Sequence, residues 1–186
     1  MKKEIKHTLD ILKNGGVIIY PTDTLWGIGC DATDEEAVDK IYKIKQRADS
    51  KSMIILVSNW EMLKNYIKKI PAKVGCVIDG AIKPTTVIYN KPKGLAPNVV
   101  SSDKTVGIRI VDDEFAKLLI DKFGKPIVST SANLSGKPAP KNFKDIDQSL
   151  LEKVDYVVNL HRDRRGGSAS RIVKFDKKGG FKFLRK

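Results

Sequence analysis

Apolar positions recur along the chain with two alternating periods. Over residues 4–14, Ile5, Leu9 and Leu12 fall on one helical stripe, and Gly15-Gly16 ends it. Val17-Ile18-Ile19-Tyr20 follows as a continuous apolar run of strand length, closed by Pro21. The same succession then repeats. Thr33-Asp34-Glu35-Glu36 has the form of a capping box and opens a helix through about Lys45, and Met53–Val57 is a second buried strand. Ser58-Asn59-Trp60-Glu61 caps another helix, running toward Ile70. Thr85–Tyr89 and Val106–Ile110 are β-branched strands; a helix from Asp112 or Asp113 ends at Gly124; Ile127–Ser129 is a short strand. Asp145–Leu151 reads as helix and Tyr156–Asn159 as strand. Ser170–Phe175 and Phe181–Leu184 flank the turn residues 176–180 as a terminal hairpin.

Helices interleaved with short buried strands predict an α/β fold, a sheet covered by helices. The terminal hairpin requires some antiparallel pairing, so the sheet is expected to be mixed. No repeat, low-complexity segment or linker interrupts the 186 residues, which read as one domain, 1–186.

Composition narrows the chemistry. The longest apolar runs are too short to cross a bilayer, and no apolar segment follows the N-terminal lysines, so a cytoplasmic protein with no membrane contact is expected. Cys30 and Cys76 sit in apolar stretches and read as reduced core cysteines. His7 and His161 are the only histidines, which argues against a Cys/His zinc site and a Ser–His–Asp triad; no metal ligands are expected. Lys and Arg number 35 against 22 Asp and Glu, a net charge of +13, which favours phosphates, nucleotides or nucleic acid as partners. Residues 161–186 concentrate that excess, with Arg162, Arg164, Arg165 and Arg171 among them.

Three segments are candidates for binding. Tyr20-Pro21-Thr22-Asp23-Thr24-Leu25-Trp26-Gly27-Ile28-Gly29 follows a buried strand with two hydroxyls, a carboxylate and two glycines; it reads equally as a ligand loop or as a turn satisfying its own backbone. Lys45, Arg47 and Lys51 could clamp phosphates, although cations at a helix C-terminus also serve as caps. Ser129-Thr130-Ser131-Ala132-Asn133-Leu134-Ser135-Gly136 carries more hydroxyls than a turn needs, which favours a polar or anionic ligand. Common nucleotide motifs are absent. Gly27-Ile28-Gly29-Cys30-Asp31-Ala32 stands too far from its strand for a dinucleotide fingerprint, and Gly136-Lys137 lacks the rest of a Walker loop. His161-Arg162-Asp163 mimics a kinase triplet, but Ser168 stands where its Asn should be.

In this order, these segments resemble the YrdC-like family of threonylcarbamoyl-AMP synthases. Pro21-Thr22-Asp23-Thr24-Leu25-Trp26-Gly27 is similar to P-T-[ED]-T-x-[YW]-G, and Lys45-x-Arg47 with Lys51-Ser52-Met53 to K-x-R-x(3)-[NK]-P-[LM]. Pro84-Thr85-Thr86-Val87-Ile88 and Val106-Gly107-Ile108-Arg109 resemble two family strands, and Ser131-Ala132-Asn133-Leu134-Ser135-Gly136 is an unbroken S-A-N-x-S-G. The resemblance covers about residues 5–175.

The resemblance implies a twisted open sheet around a concave basic surface. It implies synthesis of threonylcarbamoyl-AMP and pyrophosphate from L-threonine, bicarbonate and ATP. Mg²⁺ would arrive with the ATP, and the product would pass to a tRNA threonylcarbamoyl transferase complex. By resemblance, Lys45, Arg47 and Lys51 hold the triphosphate, with Lys45 and Arg47 central to catalysis. Thr24, Arg109 and Ser170 hold threonine; Ser131, Asn133 and Thr86 contact the nucleotide. The chain departs from the pattern at Ser52, at Leu56 and in Ser170-Arg171-Ile172-Val173-Lys174, where Arg171 and Lys174 replace Thr and Asp close to the expected ligand. One competing reading is a paralogue without synthase activity that binds tRNA or double-stranded RNA, which the net charge permits. Another, least favoured, is an adenylating enzyme using a carbamoyl donor, as in hydrogenase-maturation proteins.

Overall fold

The computed structural model describes residues 1–46, 53–176 and 178–186. In chain order the elements are α1 (Lys2–Lys13), β1 (Ile18–Tyr20), β2 (Gly27–Gly29), α2 (Glu35–Lys45), β3 (Ile54–Val57), α3 (Trp60–Tyr66), α4 (Val74–Asp79), β4 (Thr85–Asn90), β5 (Thr105–Ile110), α5 (Glu114–Phe123), β6 (Ile127–Ser131), α6 (Gln148–Leu151), β7 (Tyr156–Val157), β8 (Arg171–Phe175) and β9 (Phe181–Arg185). Among the described residues the strands form one nine-stranded sheet in the order β7-β1-β2-β6-β3-β5-β4-β8-β9. It is mixed: β1–β7, β3–β5 and β4–β8 are parallel and the other neighbours antiparallel.

β1 and β3 are apolar without alternation because both of their faces are covered. Ile18, Tyr20, Leu56 and Ile127 meet Ile5 and Leu12 of α1 and Phe115, Leu119 and Ile120 of α5. Val17, Ile19, Ile28, Ile55, Val57, Ile108 and Val128 point the other way, against Val38, Ile41 and Tyr42 of α2 and Leu63 of α3.

Several local expectations shift. The N-cap of α2 is Asp34, accepting from the Glu36 and Ala37 amides; Thr33 instead bonds Asp31. Asn59, not Ser58, caps α3, which ends at Tyr66 rather than Ile70 because residues 67–73 leave the helix. Asp113 starts α5 and Gly124, left-handed at φ 72°, ends it as expected. β2 and α4 are additions: β2 has three residues, two of them glycine, and lacks any β-branched signal beyond Ile28. Cys30 is buried, whereas Cys76 on α4 is exposed and is not a core cysteine. Among the described residues no helix is long and apolar enough to cross a membrane.

Candidate functional site

Cross-strand partners share a face of a sheet. Leu56 lies opposite Arg109 and Ile127, Ile54 opposite Gly107 and Ser129, Gly27 opposite Ser131, and Thr86 opposite Ile172. These residues therefore occupy the face that α1 and α5 cover at Leu56 and Ile127. Beyond that cover the face opens into a cavity of about 370 Å³ lined by Thr24, Gly27, Ile54, Arg109, Ser129, Ser131, Ser170, Ile172 and Arg185 among others. All three expected threonine contacts, Thr24, Arg109 and Ser170, thus line one cavity, with Ser131 beside them.

Arg109 is 4% exposed. Its Nη1 donates to Asp23 in a close ion pair, and its Nη2 lies 3.4 Å from Thr24 Oγ1. The Thr22–Trp26 loop holds its own shape: the Thr22 and Thr24 hydroxyls are 3.0 Å apart, and Thr22 Oγ1 donates to the Leu25 carbonyl at 2.7 Å. The segment after His161 crosses this loop, with the Gly167 amide donating to Thr24 O and the Gly166 amide to Lys141 O, each at 2.6 Å. Arg164 pairs with buried Asp113 at 3.2 Å and Arg162 stacks over Phe143 at 4.5 Å, so two arginines of the basic tail are committed within the fold.

Thr86 and Ser170, 84 residues apart in sequence, join hydroxyls at 2.8 Å. Arg185 donates from Nε to Ser170 O at 2.8 Å and from Nη2 to Ser170 Oγ at 3.2 Å. Burial, and then the nearby Arg109 charge, push the Arg185 guanidinium below its ordinary pKa. Two cations facing one cavity, with Asp23 engaged by one of them, are a setting for an anion. Beneath the floor, burial pushes the Tyr20 phenol well above its usual range.

Lys45 is placed differently from a free phosphate clamp. It is 1% exposed, and its ammonium donates to the carbonyls of Ser131 and, at 2.6 Å, Asn133. The Ser135 amide returns a bond to Lys45 O at 2.9 Å. Asn133 accepts from the Ser131 hydroxyl and donates to the Leu134 and Lys137 carbonyls at 2.9 and 2.7 Å. The end of α2 and the Ser131–Gly136 loop are therefore one unit. Arg47, Lys51 and Ser52 lie outside the described residues.

The two basic departures do not line the cavity. Arg171 points to the opposite face, where it bonds Thr85 Oγ1 at 3.1 Å from Nη2 and stacks over Phe183 at 5.0 Å. Lys174 pairs with Asp103 at 3.3 Å. The expectation that both sit near the ligand is corrected: alternation along β8 turns Arg171 away, and Lys174 lies two pairs beyond Ile172. The additional cation is Arg185, which the sequence reading did not single out. Among the described residues no three His, Cys, Asp or Glu side chains group as a metal site.

The profile of the Sua5/YciO/YrdC family, described as "Telomere recombination", matches residues 10–186. A Methanocaldococcus jannaschii protein provisionally named threonylcarbamoyl-AMP synthase is 35% identical over 182 residues, 94% of this chain and 84% of that protein. A Photobacterium profundum protein named threonylcarbamoyl-AMP synthase is 30% identical over 160 residues, covering 83% of this chain and 85% of its own. The crystal structure of Pyrococcus abyssi Sua5 complexed with L-threonine superposes with a TM-score of 0.86 at 25% identity, over all of this chain and 54% of that one. This chain therefore spans about half the length of that Sua5.

Proposed function

The chain belongs to the Sua5/YciO/YrdC family, and from that premise we propose that it is a threonylcarbamoyl-AMP synthase. The observation that carries the reading is the cavity in which Arg109 and Arg185 face the hydroxyls of Thr24, Ser129, Ser131 and Ser170. Threonine brings a carboxylate and ATP brings phosphates, so a site for both needs separated cations and neutral donors.

In this reading the threonine amine and bicarbonate form an N-carboxylate with loss of water. An oxygen of that carboxylate attacks the α-phosphorus of ATP, and pyrophosphate leaves. Catalysis is positioning and charge neutralisation, so a site without histidine suffices. Arg109 takes the threonine carboxylate, with Thr24 and Ser170 beside it. Ser131, Asn133 and Thr86 meet the nucleotide, and Arg185 joins Lys45, Arg47 and Lys51 in neutralising the phosphates. ATP enters as its magnesium complex. The product passes to a tRNA threonylcarbamoyl transferase complex, and the reaction belongs in the cytoplasm. The RNA-binding alternative is not favoured, since relatives matching most of the chain carry synthase names.

The test is pyrophosphate release from ATP by the purified protein, with threonine and bicarbonate each supplied and withheld. Release requiring both is expected. ATP turnover indifferent to threonine would overturn the proposal.

A further inference from the structure

Asp23 is the acidic residue of the Thr22–Trp26 loop, and its place beside Arg109 is specific. Its side chain is 12% exposed against 4% for Arg109, so the ion pair is largely out of water. One carboxylate oxygen takes Arg109 Nη1; the other, Oδ2, is buried without a partner, as is Arg109 Nε. Arg109 lines the 370 Å³ cavity. Asp23 does not. It lines a separate cavity of about 490 Å³ together with Trp60, Thr85, Ile110 and Asp112. The pair is therefore a wall between two cavities, with the guanidinium on one side and the carboxylate on the other.

We infer that Asp23 is a positioning residue for the carboxylate-binding Arg109, an inference that rests on the synthase reading. A guanidinium has five N–H donors in a fixed plane, and a buried anion on Nη1 sets the direction of the rest. Asp23 meets Arg109 from outside the ligand cavity, so it fixes the fork without occupying the ligand's place. It also offsets a charge that would otherwise stand buried beside Arg185, whose guanidinium already feels Arg109. Thr24 bounds the other side of the fork through Nη2, and the loop's internal hydrogen bonds hold Thr24 and Asp23 in register with each other.

The test is a cycle of Asp23→Ala, Arg109→Ala and the double variant, with Asp23→Glu as the charge-retaining control. For Asp23→Ala the KM for threonine should rise about tenfold or more, with the KM for ATP nearly unchanged. In the Arg109→Ala background, removing Asp23 should add little, because it acts through Arg109. Asp23→Glu should recover part of the threonine KM. Equal effects on both substrates, or fully additive losses, would overturn the inference. A second readout needs no turnover. The Arg109 guanidinium ¹⁵N–¹H signal, assigned as the one lost in Arg109→Lys, should be sharp and slow to exchange in the unliganded protein and broaden in Asp23→Ala. An unchanged signal would also overturn it. A wild-type protein without threonine-dependent release would defeat the synthase reading, and the guanidinium signal would still decide the role of Asp23.

Discussion

Arg185 lies opposite Ile172 across the β8–β9 ladder, where regular pairing from Phe175 and Phe181 would place Leu184. The register shifts between Ile172 and Val173, one extra residue stands on β9, and the side chains beyond it exchange faces. Leu184 consequently turns outward, 53% exposed, and Arg185 turns to the cavity. Arg185→Ala is expected to lower kcat/KM for ATP by about 10- to 100-fold, the scale of a charge-assisted phosphate contact. Its cost to stability should stay near 1 kcal/mol, since it loses only hydrogen bonds at the cavity rim. Steady-state kinetics alongside thermal melting separates the two.

Lys45 should report on loop integrity as well as on charge. Lys45→Met keeps the volume but leaves the Ser131 and Asn133 carbonyls without the ammonium. The expected cost is about 1–3 kcal/mol. Synthase activity should fall more than the melting temperature alone would explain, because the Ser131–Gly136 loop loses its anchor. Loss of activity with no change in melting would assign Lys45 to the substrates alone.

Gly29 is the tightest backbone position near the cavity floor. A Cβ there would meet the Val128 carbonyl oxygen at 2.2 Å and Tyr20 Cε1 at 2.9 Å. Because one of those neighbours is strand backbone, Gly29→Ala should destabilise the fold by about 3 kcal/mol or more, at or above the upper end of core overpacking. Denaturant unfolding measures this directly.

Acid should loosen the junction of α1 with β7. Burial alone would raise the Glu4 pKa, but hydrogen bonds from the Tyr156 hydroxyl and the Asn159 amide outweigh it and hold the carboxyl below its ordinary value. A lowered carboxylate pKa stabilises the fold above the unfolded pKa of about 4.3 and loses that contribution as pH falls through the folded value. Melting temperature should therefore drop between about pH 5 and pH 3, and Glu4→Gln should flatten that part of the profile.

Much of the strand and helix inventory was legible because burial on both faces leaves continuous apolar runs, as at Val17–Tyr20 and Met53–Val57. The members of the site were legible as segments. Thr24 and Ser131 follow, Arg109 lies within and Ser170 opens a run whose strand character is plain. β2 was not legible, because Gly27 and Gly29 are chosen for absence of a side chain against Tyr20 and Val128 rather than for strand propensity. Arg185 was hidden by a bulge that no local residue announces.

The kind of protein is readable from the amino-acid order alone: a helix-covered mixed sheet, a hydroxyl- and arginine-rich loop set, and the family those loops resemble. The first two follow from periodicity and residue chemistry, and the third is a resemblance carried by short motifs; all are local. It takes the assembled sheet to turn Arg171 away and Arg185 in, to tie α2 to the Ser131 loop through Lys45, and to set Asp23 behind Arg109. The Arg185 placement depends on one inserted residue in the terminal hairpin, and the other two on strand order and register, which bring together positions 86 residues apart, Lys45 with Ser131 and Asp23 with Arg109.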